Sequence, residues 1–453
     1  KGSFQASTFD PSTATNASVT HKWLGPSADL ERRYPVTSRN YGSNFLYEWR
    51  ARNYSGRFSD ANGGDMAWWK YDAVTGMLTV GTDTTNPIQL ALDPTEAEAA
   101  WIPVIDAIYE AENQYDGLAN VKSFVAEALN GNPTIRLSAW SLANLFATYY
   151  TGLTSFNGAG LATDLVISLA SMFEGCDSLV SFTGVENWDT GKVTTVNSMF
   201  KDTKSSIQIE GTQNWNTSAV TDFSSMFENA TGVESILNIG TWDVSAGTTE
   251  NMFNGATSLK YLNIAFTPAA GGHMNVTANR NGMLANAPAI LELTVGNNSY
   301  LADTGIDDNH KSSRGSWERR DESFTIVWFG TTKNLMVRYP VSDPASDLGV
   351  VKYTWEEGTL RGRFTNENAW WQFTYTDDEK THGDLIIGLI DTSTGADHVI
   401  TETAAELPWA DAFGDNRVSA ITMQNGVTFV GNNLEGWFEN YTALEHFDGT
   451  SMN

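Results

Sequence analysis

The side chains that could perform catalysis or bind a metal are scattered along the sequence. Metalloprotease chemistry would need two histidines in a His-Glu-x-x-His pattern, and acyl transfer would need a serine in a Gly-x-Ser-x-Gly turn. Neither pattern occurs, and no glycine-rich phosphate loop is present. We therefore predict no catalytic residues, no cofactor and no enzyme activity. The histidines, interpreted as surface or incidental residues, are His21, His273, His310, His382, His398 and His446.

Two acidic clusters offer the hard oxygen ligands that Ca²⁺ prefers. Neither cluster has the spacing of a calcium-binding loop, so we interpret both as solvated acidic turns and predict no metal site. With 54 acidic side chains, some pair will also lie at glycosidase distance by chance, and proximity alone would not indicate a hydrolase. The clusters are Asp303 with Asp307 and Asp308, and Asp377 with Asp378 and Glu379.

The charge balance narrows the classes of partner. The 453-residue chain carries 54 acidic and 27 basic side chains, a formal net charge of −27. Binding of nucleic acid or of an anionic membrane needs clustered Lys and Arg, so we exclude both as partners. No run of 18 apolar residues occurs, which predicts no membrane insertion. Cys176 is the only cysteine, and we interpret it as a small buried apolar residue.

A Met-Phe pair at near-constant spacing is the strongest structural signal. Successive pairs are 27, 27 and 26 residues apart, and a Trp-Asx pair recurs at the same interval between them. Such a period is typical of a solenoid, in which each repeat buries its apolar face against its neighbours. The sequence therefore predicts a parallel β-solenoid with these side chains in its core. The pairs are Met172-Phe173, Met199-Phe200, Met226-Phe227 and Met252-Phe253, and Trp188-Asp189, Trp215-Asn216 and Trp242-Asp243.

Small residues at one fixed position of each coil favour stacking at the spacing of a parallel sheet, about 4.8 Å. A large side chain there would be multiplied along the stack and would not fit a close-packed core. Divergent end coils at Leu145-Phe146 and Met283-Leu284 extend the solenoid to about six short coils over residues 142–295. The small residues are Cys176, Thr203, Ala230 and Ala256.

A longer repeat is superposed on the first. The sequence Arg-Tyr-Pro-Val at 33–36 recurs at 338–341, an offset of 305 residues. Both copies contain runs of Val, Thr, Tyr and Trp between Gly, Asn and Asp turns, which predicts β-rich lead domains. We therefore predict a tandemly duplicated module in which residues 17–81 and 322–388 share one fold. Other matched positions are Trp23 with Trp328, and Trp68-Trp69 with Trp370-Trp371.

The chain also carries a family resemblance. Residues 172–194, Met-Phe-Glu-Gly-Cys-Asp-Ser-Leu followed by Asn-Trp-Asp-Thr-Gly-Lys-Val-Thr, closely resemble the repeat of BspA-like leucine-rich-repeat surface proteins of bacteria. Residues 68–80 resemble the family's lead strand pair, and 407–410 with 418–422 resemble its Pro-Trp element and the strand entering the repeats. The resemblance implies an extracellular, surface-displayed protein used in adhesion or in building a surface layer. The chain departs from the family because small residues replace Cys in most coils and no wall-anchor motif is recognisable.

These patterns together predict a mainly β chain built as a series of domains. A helix is predicted for Pro94–Tyr115, which opens with Pro, Thr and Glu. A second repeat array begins near residue 428, and we expect the sequence to be a piece of a longer protein. The predicted divisions are an N-terminal arm at 1–16, a β-rich lead domain with a helical insert at 17–135, a leucine-rich-repeat-like solenoid at 136–300, a linker at 301–321, a second β-rich lead domain at 322–427, and the truncated start of a second repeat array at 428–453.

Three classes of function stay open from the sequence. The first, which we expect, is a non-catalytic extracellular surface protein whose solenoid face recognises a host or neighbouring-cell protein or glycan. Exposed aromatics such as Trp140 or Tyr149-Tyr150 would favour it. The second is a structural subunit of a surface layer, filament or virion exterior that packs against copies of itself, which the duplicated module favours. The third is a polysaccharide hydrolase, which no sequence motif supports.

Overall fold

The structure, a computed structural model, is mainly β and forms two compact units. The first unit comprises Lys1–Thr257 with Thr267–Arg280, and the second comprises Ser258–Phe266 with Asn281–Asn453. The helix predicted at 94–115 lies outside the described residues. No helix in the described part of the chain is long and apolar enough to cross a membrane. The described residues are 2–8, 21–25, 45–51, 53–58, 67–84, 88–89, 117–136, 140–266, 279–296, 299–306, 315–324, 326–339, 350–358, 360–364, 368–377, 380–390, 399–400, 407–409, 417–424, 426–429 and 435–452.

The strands are two to seven residues long. Those of the first unit are β1 (Gly2–Thr8), β2 (His21–Gly25), β3 (Phe45–Ala51), β4 (Asn53–Phe58), β5 (Ala67–Asp72), β6 (Met77–Thr82), β7 (Ile88–Gln89), β8 (Ser123–Ala126), β9 (Ile135–Arg136), β10 (Ser155–Asn157), β11 (Ser181–Thr183), β12 (Gln208–Ile209) and β13 (Ser235–Ile236). Those of the second unit are β14 (Tyr261–Asn263), β15 (Glu292–Val295), β16 (Gly315–Arg320), β17 (Ile326–Gly330), β18 (Val351–Glu357), β19 (Leu360–Arg363), β20 (Ala369–Tyr375), β21 (Gly383–Leu389), β22 (Val399–Ile400), β23 (Val418–Met423), β24 (Thr428–Phe429) and β25 (His446–Asp448). The described helices are α1 (Thr332–Arg338) and the 3₁₀ turns Leu118–Asn120, Thr212–Asn214 and Asn238–Thr241.

The first unit combines an antiparallel sheet with a mixed one. β1 lies between β2 and β3, antiparallel to both. A seven-stranded sheet has the order β12-β11-β10-β8-β6-β5-β4, antiparallel from β4 to β6 and parallel from β6 to β12. In its β5–β6 turn, Asp72 accepts the Val74 amide at 2.9 Å and Gly76 adopts a left-handed φ of 72°.

The parallel part of this sheet carries an apolar row into the core. Phe124, Phe156, Phe182 and Ile209 lie opposite one another on β8, β10, β11 and β12. The Phe124 and Phe156 rings stack with centroids 5.5 Å apart, and those of Phe156 and Phe182 are 5.6 Å apart. Side chains at equivalent positions therefore stack along the sheet, as the 27-residue period predicts.

We call residues 140–257 the Met-Phe ladder and each of its repeats of about 27 residues, beginning at Trp140, a segment. Backbone hydrogen bonds join successive pairs: Phe173 donates to Met199 at 2.9 Å, and Phe200 donates to Met226 at 2.8 Å. Burial of the predicted core positions is confirmed. Fully buried are Met172, Met199, Met226 and Met252, the Phe that follows each of them, and the small residues Cys176, Thr203, Ala230 and Ala256.

Each segment turns sharply after its Met-Phe pair. Gly175, Asp202, Asn229 and Gly255, three residues after each Met, all have positive φ, between 55° and 75°. Glycine, aspartate and asparagine tolerate this left-handed conformation better than other residues. The alternation of these three residue types at one position thus reflects a backbone requirement of the turn.

One feature of the ladder differs from the predicted continuous strand row. The row of paired strands from β6 ends at β12. Beyond β12, the carbonyl of Ile209 accepts a hydrogen bond from the Asn238 side-chain amide at 3.0 Å, and residues Asn238–Thr241 form a 3₁₀ turn. A side-chain donor thus satisfies the strand carbonyl where a backbone donor was expected. The adjoining rows of Phe and Trp side chains continue across this point.

The second unit contains two mixed sheets. In one, strands follow the order β14-β15-β18-β16-β17, with β14 and β15 parallel and the remaining pairs antiparallel. In the other, the order is β19-β20-β21-β23-β25. The core of the latter includes Trp371, Trp409 and Trp437, all almost fully buried. Strand β16 falls within the stretch 301–321 that the sequence predicts to be a linker.

The strand arrangement of the first unit recurs in the second. β16 lies between β17 and β18 as β1 lies between β2 and β3, and Trp23 and Trp328 each sit beside a register shift. β19 to β21, β23 and β25 repeat the order and polarity of β4 to β6, β8 and β10. Trp68 lies opposite Gly81 as Trp370 lies opposite Gly388. Trp23 and Trp68 therefore have the same strand pairing as Trp328 and Trp370, whereas the repeated sequence at 33–36 lies outside the described residues.

Candidate functional site

The structure gives the acidic turn at Asp377 a local role. The Asp377 carboxylate accepts hydrogen bonds from the Thr381 amide at 2.7 Å, the Thr381 hydroxyl at 2.6 Å and the His382 amide at 2.9 Å. These donors lower the pKa of Asp377 to about 2. Its oxygens are thus occupied by the turn itself, while Asp378 and Glu379 lie outside the described residues.

The other candidate ligands are not gathered into a site in the described part of the chain. No group of three or more His, Cys, Asp or Glu side chains that could hold a metal occurs there. Asp303 is exposed with a left-handed φ of 62°. Of the histidines, His382 sits beside Asp377 and His446 is exposed on β25. His21 lies on β2, and His273, His310 and His398, with Asp307 and Asp308, fall outside the described residues.

Cys176 is part of the packing and is chemically inert. Its thiol is fully buried and lies 3.3 Å from the carbonyl of Phe146. Burial, with a smaller contribution from Asp177, raises the pKa of the Cys176 thiol to about 12. The thiolate, the reactive form, is therefore negligible at neutral pH.

A continuous exposed row runs along the ladder and is the candidate recognition surface. It takes one residue from each segment at intervals of 27, and we call it the outer row. Trp140 is 65% exposed and Ile167 is 41% exposed, whereas Thr194 and Thr221 are exposed and Thr248 is half-buried. One end is therefore apolar and the rest is lined by hydroxyl groups. The outer row is Trp140, Ile167, Thr194, Thr221 and Thr248.

Backbone hydrogen bonds hold the outer row in register. The Ile167 amide donates to the Trp140 carbonyl at 2.7 Å, and the Thr194 amide donates to the Ile167 carbonyl at 2.8 Å. The Thr221 amide likewise donates to Thr194 at 2.8 Å, and the Thr248 amide to Thr221 at 3.1 Å. The row is thus as regular as a parallel sheet and is fixed by the main chain.

The threonine hydroxyls of the row are also oriented by the main chain. Thr194 Oγ1 donates to the Ile167 carbonyl at 3.1 Å, and Thr221 Oγ1 donates to the Thr194 carbonyl at 3.3 Å. A hydroxyl that uses its proton in this way keeps its lone pairs as acceptors. The outer row therefore presents fixed acceptors to a ligand that donates hydrogen bonds.

Buried residues beside the row anchor it. Val166, Val193 and Val220 immediately precede Ile167, Thr194 and Thr221, and each is almost fully buried. The indoles of Trp215 and Trp242 donate to the carbonyls of Val185 and Thr212, at 3.1 and 2.9 Å. Because neighbouring positions are locked in the core, the outer row keeps its geometry without a ligand.

A second exposed aromatic lies in the first segment. Tyr149 is 66% exposed, and it follows Thr148, a β-branched residue with a left-handed φ of 57°. Such a conformation is unfavourable for threonine and is held by the Thr148 amide, which donates to the Glu174 carbonyl at 2.7 Å. Tyr150, in contrast, is buried against Phe146, with ring centroids 5.1 Å apart. The expectation that both tyrosines are exposed is therefore correct only for Tyr149.

Charged side chains elsewhere on the ladder pair between segments. Lys201 Nζ lies 2.9 Å from Glu228, and Lys204 Nζ lies 2.7 Å from Asp177. The hydrogen bond with Glu228 is the main reason why the pKa of Lys201 is raised. Both pairs are at least partly open to solvent and contribute little to stability.

The sequence predicts the exposure of Trp140 but does not single out the other four residues of the outer row. The Met, Phe and Trp residues that repeat with the 27-residue period mark the core. The same interval links Trp140 to Ile167, Thr194, Thr221 and Thr248, and that signal was present in the sequence. The signal is hard to recognise because the residue type changes along the row, from Trp to Ile to Thr.

Part of the Met-Phe ladder matches the model of a known protein family. No curated protein matches the chain, and no solved structure does so either. Residues 146–287, which include most of the Met-Phe ladder, are similar to the family described as Mycoplasma protein of unknown function, DUF285.

Proposed function

We propose that this chain is a non-catalytic extracellular surface protein that recognises a partner through the outer row of the ladder. The observation that carries the proposal is the row itself: exposed Trp140 and Ile167 continue into Thr194 and Thr221, all joined by regular backbone hydrogen bonds. A ligand that lies along the row would make many modest contacts, each repeated from segment to segment. The Trp140 indole would stack on it at one end.

The proposal includes a finer account of the fold. The ladder, with residues up to 295, is a leucine-rich-repeat-like parallel solenoid, and the two units descend from one tandemly duplicated module. In-register Phe stacking from Phe146 to Phe253, with ring centroids 5.4–5.6 Å apart, supports the first point. The shared strand order of the two units supports the second. The DUF285 similarity is compatible with the BspA-like resemblance and its surface location.

The chemistry of the row limits the partner. An extended glycan or a protein segment of a host or neighbouring cell would use stacking on Trp140 and hydrogen bonds to the threonine oxygens. The net charge of −27 disfavours strongly acidic partners. Because the contacts are spread over a long face, we expect modest affinity from one chain and stronger binding when several are displayed together.

Replacing Trp140 by Ala tests the proposal. We expect W140A to lower binding to the partner by roughly 30-fold, the effect of losing an aromatic hot spot of about 2 kcal/mol. Tyr149→Ala would show whether the second aromatic takes part. The measurement is binding of fluorescently labelled chain to arrays of extracellular glycans and to intact cells, displayed as a multimer.

The matched control is Phe324→Ala. Phe324 is 82% exposed but lies in the second unit, outside the ladder. Binding that survives W140A, or that falls equally with F324A, would contradict recognition by the outer row. Release of reducing sugar from any bound polysaccharide would contradict the non-catalytic assignment.

A structural subunit of a surface layer, filament or virion exterior is the second candidate. It is favoured by the recurrence of the strand order in both units, since chains of repeated modules suit shells and fibres. Packing against copies of the same chain would then replace, or accompany, recognition of a foreign partner.

A further inference from the structure

The peptide groups beside the Met-Phe pairs all point along the ladder in one direction. Phe146 donates its amide to the Met172 carbonyl at 3.0 Å, and Phe173 donates to Met199 at 2.9 Å, so the donor belongs to the earlier segment. Three neighbouring rows of hydrogen bonds have the same direction. The carbonyl oxygens in these rows therefore point towards the first segment. The four rows start at Leu142, Asn144, Phe146 and Thr148.

Left-handed residues on both sides of each pair produce this alignment. Ser171 and Gly175 lie on either side of Met172-Phe173 with φ of 52° and 73°, and the equivalent Ser198 and Asp202 have φ of 55° and 59°. In a β-sheet the peptide dipoles alternate and nearly cancel, whereas left-handed residues can turn successive N–H groups to one side. The dipoles of the four rows therefore add, as they do in a helix. The outer row, whose single row of bonds runs the other way, cancels only part of the sum.

The negative end of this combined dipole lies at the first segment, which also carries Trp140. Trp140 precedes Leu142, the first donor of one row, by two residues, and its side chain is 65% exposed. The carbonyl end of aligned peptide groups favours a positive charge nearby, and the effect is confined to that end. The face of an indole ring attracts a cation as well. Both features favour a cationic group on the ligand at this end of the outer row.

The formal charge of the ladder has the same sign as this end of the dipole. Residues 140–257 carry 12 acidic side chains and three lysines, and two of those lysines are already paired with acidic side chains. Residues 140–191 carry five acidic side chains and no Lys, Arg or His. A cationic ligand is therefore attracted to the ladder as a whole. Trp140 and the carbonyl end of the four rows select where its charge is held.

The spacing of the outer row favours a polysaccharide over a peptide. Residues joined by parallel backbone hydrogen bonds, such as Ile167 and Thr194, are about 4.8 Å apart. Alternate side chains of an extended peptide repeat every ~6.6–6.8 Å, so they lose register with the row within two steps. A pyranose ring linked through opposite sides extends a chain by nearly one step of the row. Its hydroxyl groups are donors that match the Thr194 and Thr221 oxygens.

We propose that the ligand of the outer row is a polysaccharide with free amino groups. One ammonium group lies over the Trp140 ring, and sugar hydroxyls donate hydrogen bonds to Thr194 and Thr221. This inference rests on the proposed recognition by the outer row and names the chemistry of the ligand. An N-acetylated sugar has the same ring without the charge, so acetylation weakens binding.

Two matched hexamers test the charge. Isothermal titration compares a glucosamine hexamer with the same hexamer fully N-acetylated, in mildly acidic buffer that keeps the free amino groups charged. We expect the glucosamine hexamer to bind roughly tenfold more tightly, the effect of one partly desolvated cation–π contact. Equal binding of the two hexamers overturns the inference. If neither hexamer binds while W140A lowers binding to cells or glycan arrays, this inference fails and recognition by the outer row stands.

Two variants separate the Trp140 contact from general attraction to an acidic chain. Trp140→Leu keeps an apolar side chain but removes the ring, and we expect it to abolish the preference for the glucosamine hexamer. Thr194→Val keeps the shape but removes an acceptor, so it should weaken both hexamers alike, by about threefold. A preference that persists in W140L arises from net charge and contradicts the inference. A lysine hexamer that binds as tightly as the glucosamine hexamer overturns the assignment of a polysaccharide.

Discussion

Replacing Trp215 by Ala is expected to destabilise the first unit by about 3–5 kcal/mol, the cost of deleting a buried tryptophan. Trp215 lies between Trp188 and Trp242, with ring centroids 5.9 and 6.0 Å away and the planes within 7° of parallel. Its indole N–H donates to the Val185 carbonyl at 3.1 Å. The substitution removes the stacking contacts with Trp188 and Trp242 and leaves the buried Val185 carbonyl without its donor.

Native-state hydrogen exchange of the ladder amides measures this effect segment by segment. Faster exchange is expected in the segments that contain Trp188 and Trp242 as well, because their stacking partner is gone. Trp140→Ala is the control, since Trp140 is largely exposed and its loss should change stability little. Equal effects of W140A and W215A would contradict the stacking account.

Replacing Glu318 by Ala is expected to destabilise the second unit by about 3–5 kcal/mol, the usual result of breaking a buried ion pair. Glu318 is 3% exposed, and its carboxylate binds the guanidinium groups of Arg361 and Arg320, the latter at 2.6 Å. Arg361 lies over the Phe329 ring at 4.5 Å, and burial lowers its pKa. Without Glu318, this buried positive charge has lost its counter-charge.

Glu356→Ala is the matched control for this pair. Glu356 is 3.9 Å from Arg320 and its side chain is 40% exposed, so its removal should cost at most about 1 kcal/mol. Urea unfolding of both variants, followed by near-ultraviolet circular dichroism, measures the difference. Replacing Glu318 and Arg361 together by Met should restore much of the stability, because no uncompensated charge then remains. A Glu318 variant as stable as the Glu356 variant would show that the pair is solvated.

The sequence predicted the core of the ladder because one physical constraint repeats there. Every Met-Phe pair must pack on the next, so Met199 and Phe200 reappear with the same burial in each segment. The position of Cys176 among small residues was predictable for the same reason. Lead-domain strands were predictable in outline, and the β5–β6 turn follows from Asp72 and Gly76.

Other features depend on contacts that periodicity does not encode. The paired strand row ends at β12 because the Asn238 side chain donates a hydrogen bond to the Ile209 carbonyl. A single asparagine in the sequence does not predict this contact. Burial of Tyr150 depends on space beside Phe146 in the first segment. The outer row changes from Trp to Ile to Thr, so its common position is visible only when the backbone register is known.

The central claim is that the chain presents a surface built from interchangeable stacked segments, and deletion of one whole segment tests it most directly. Removing residues 199–225 joins Ser198 to Met226, so that Phe173 meets Phe227 and Thr194 meets Thr248 in the same phase. The account predicts a folded protein with protected ladder amides and with Trp140-dependent binding retained. Removing only 199–211 shifts the phase and should unfold the ladder. If the whole-segment deletion unfolds the ladder as completely as the half-segment deletion, the account is wrong.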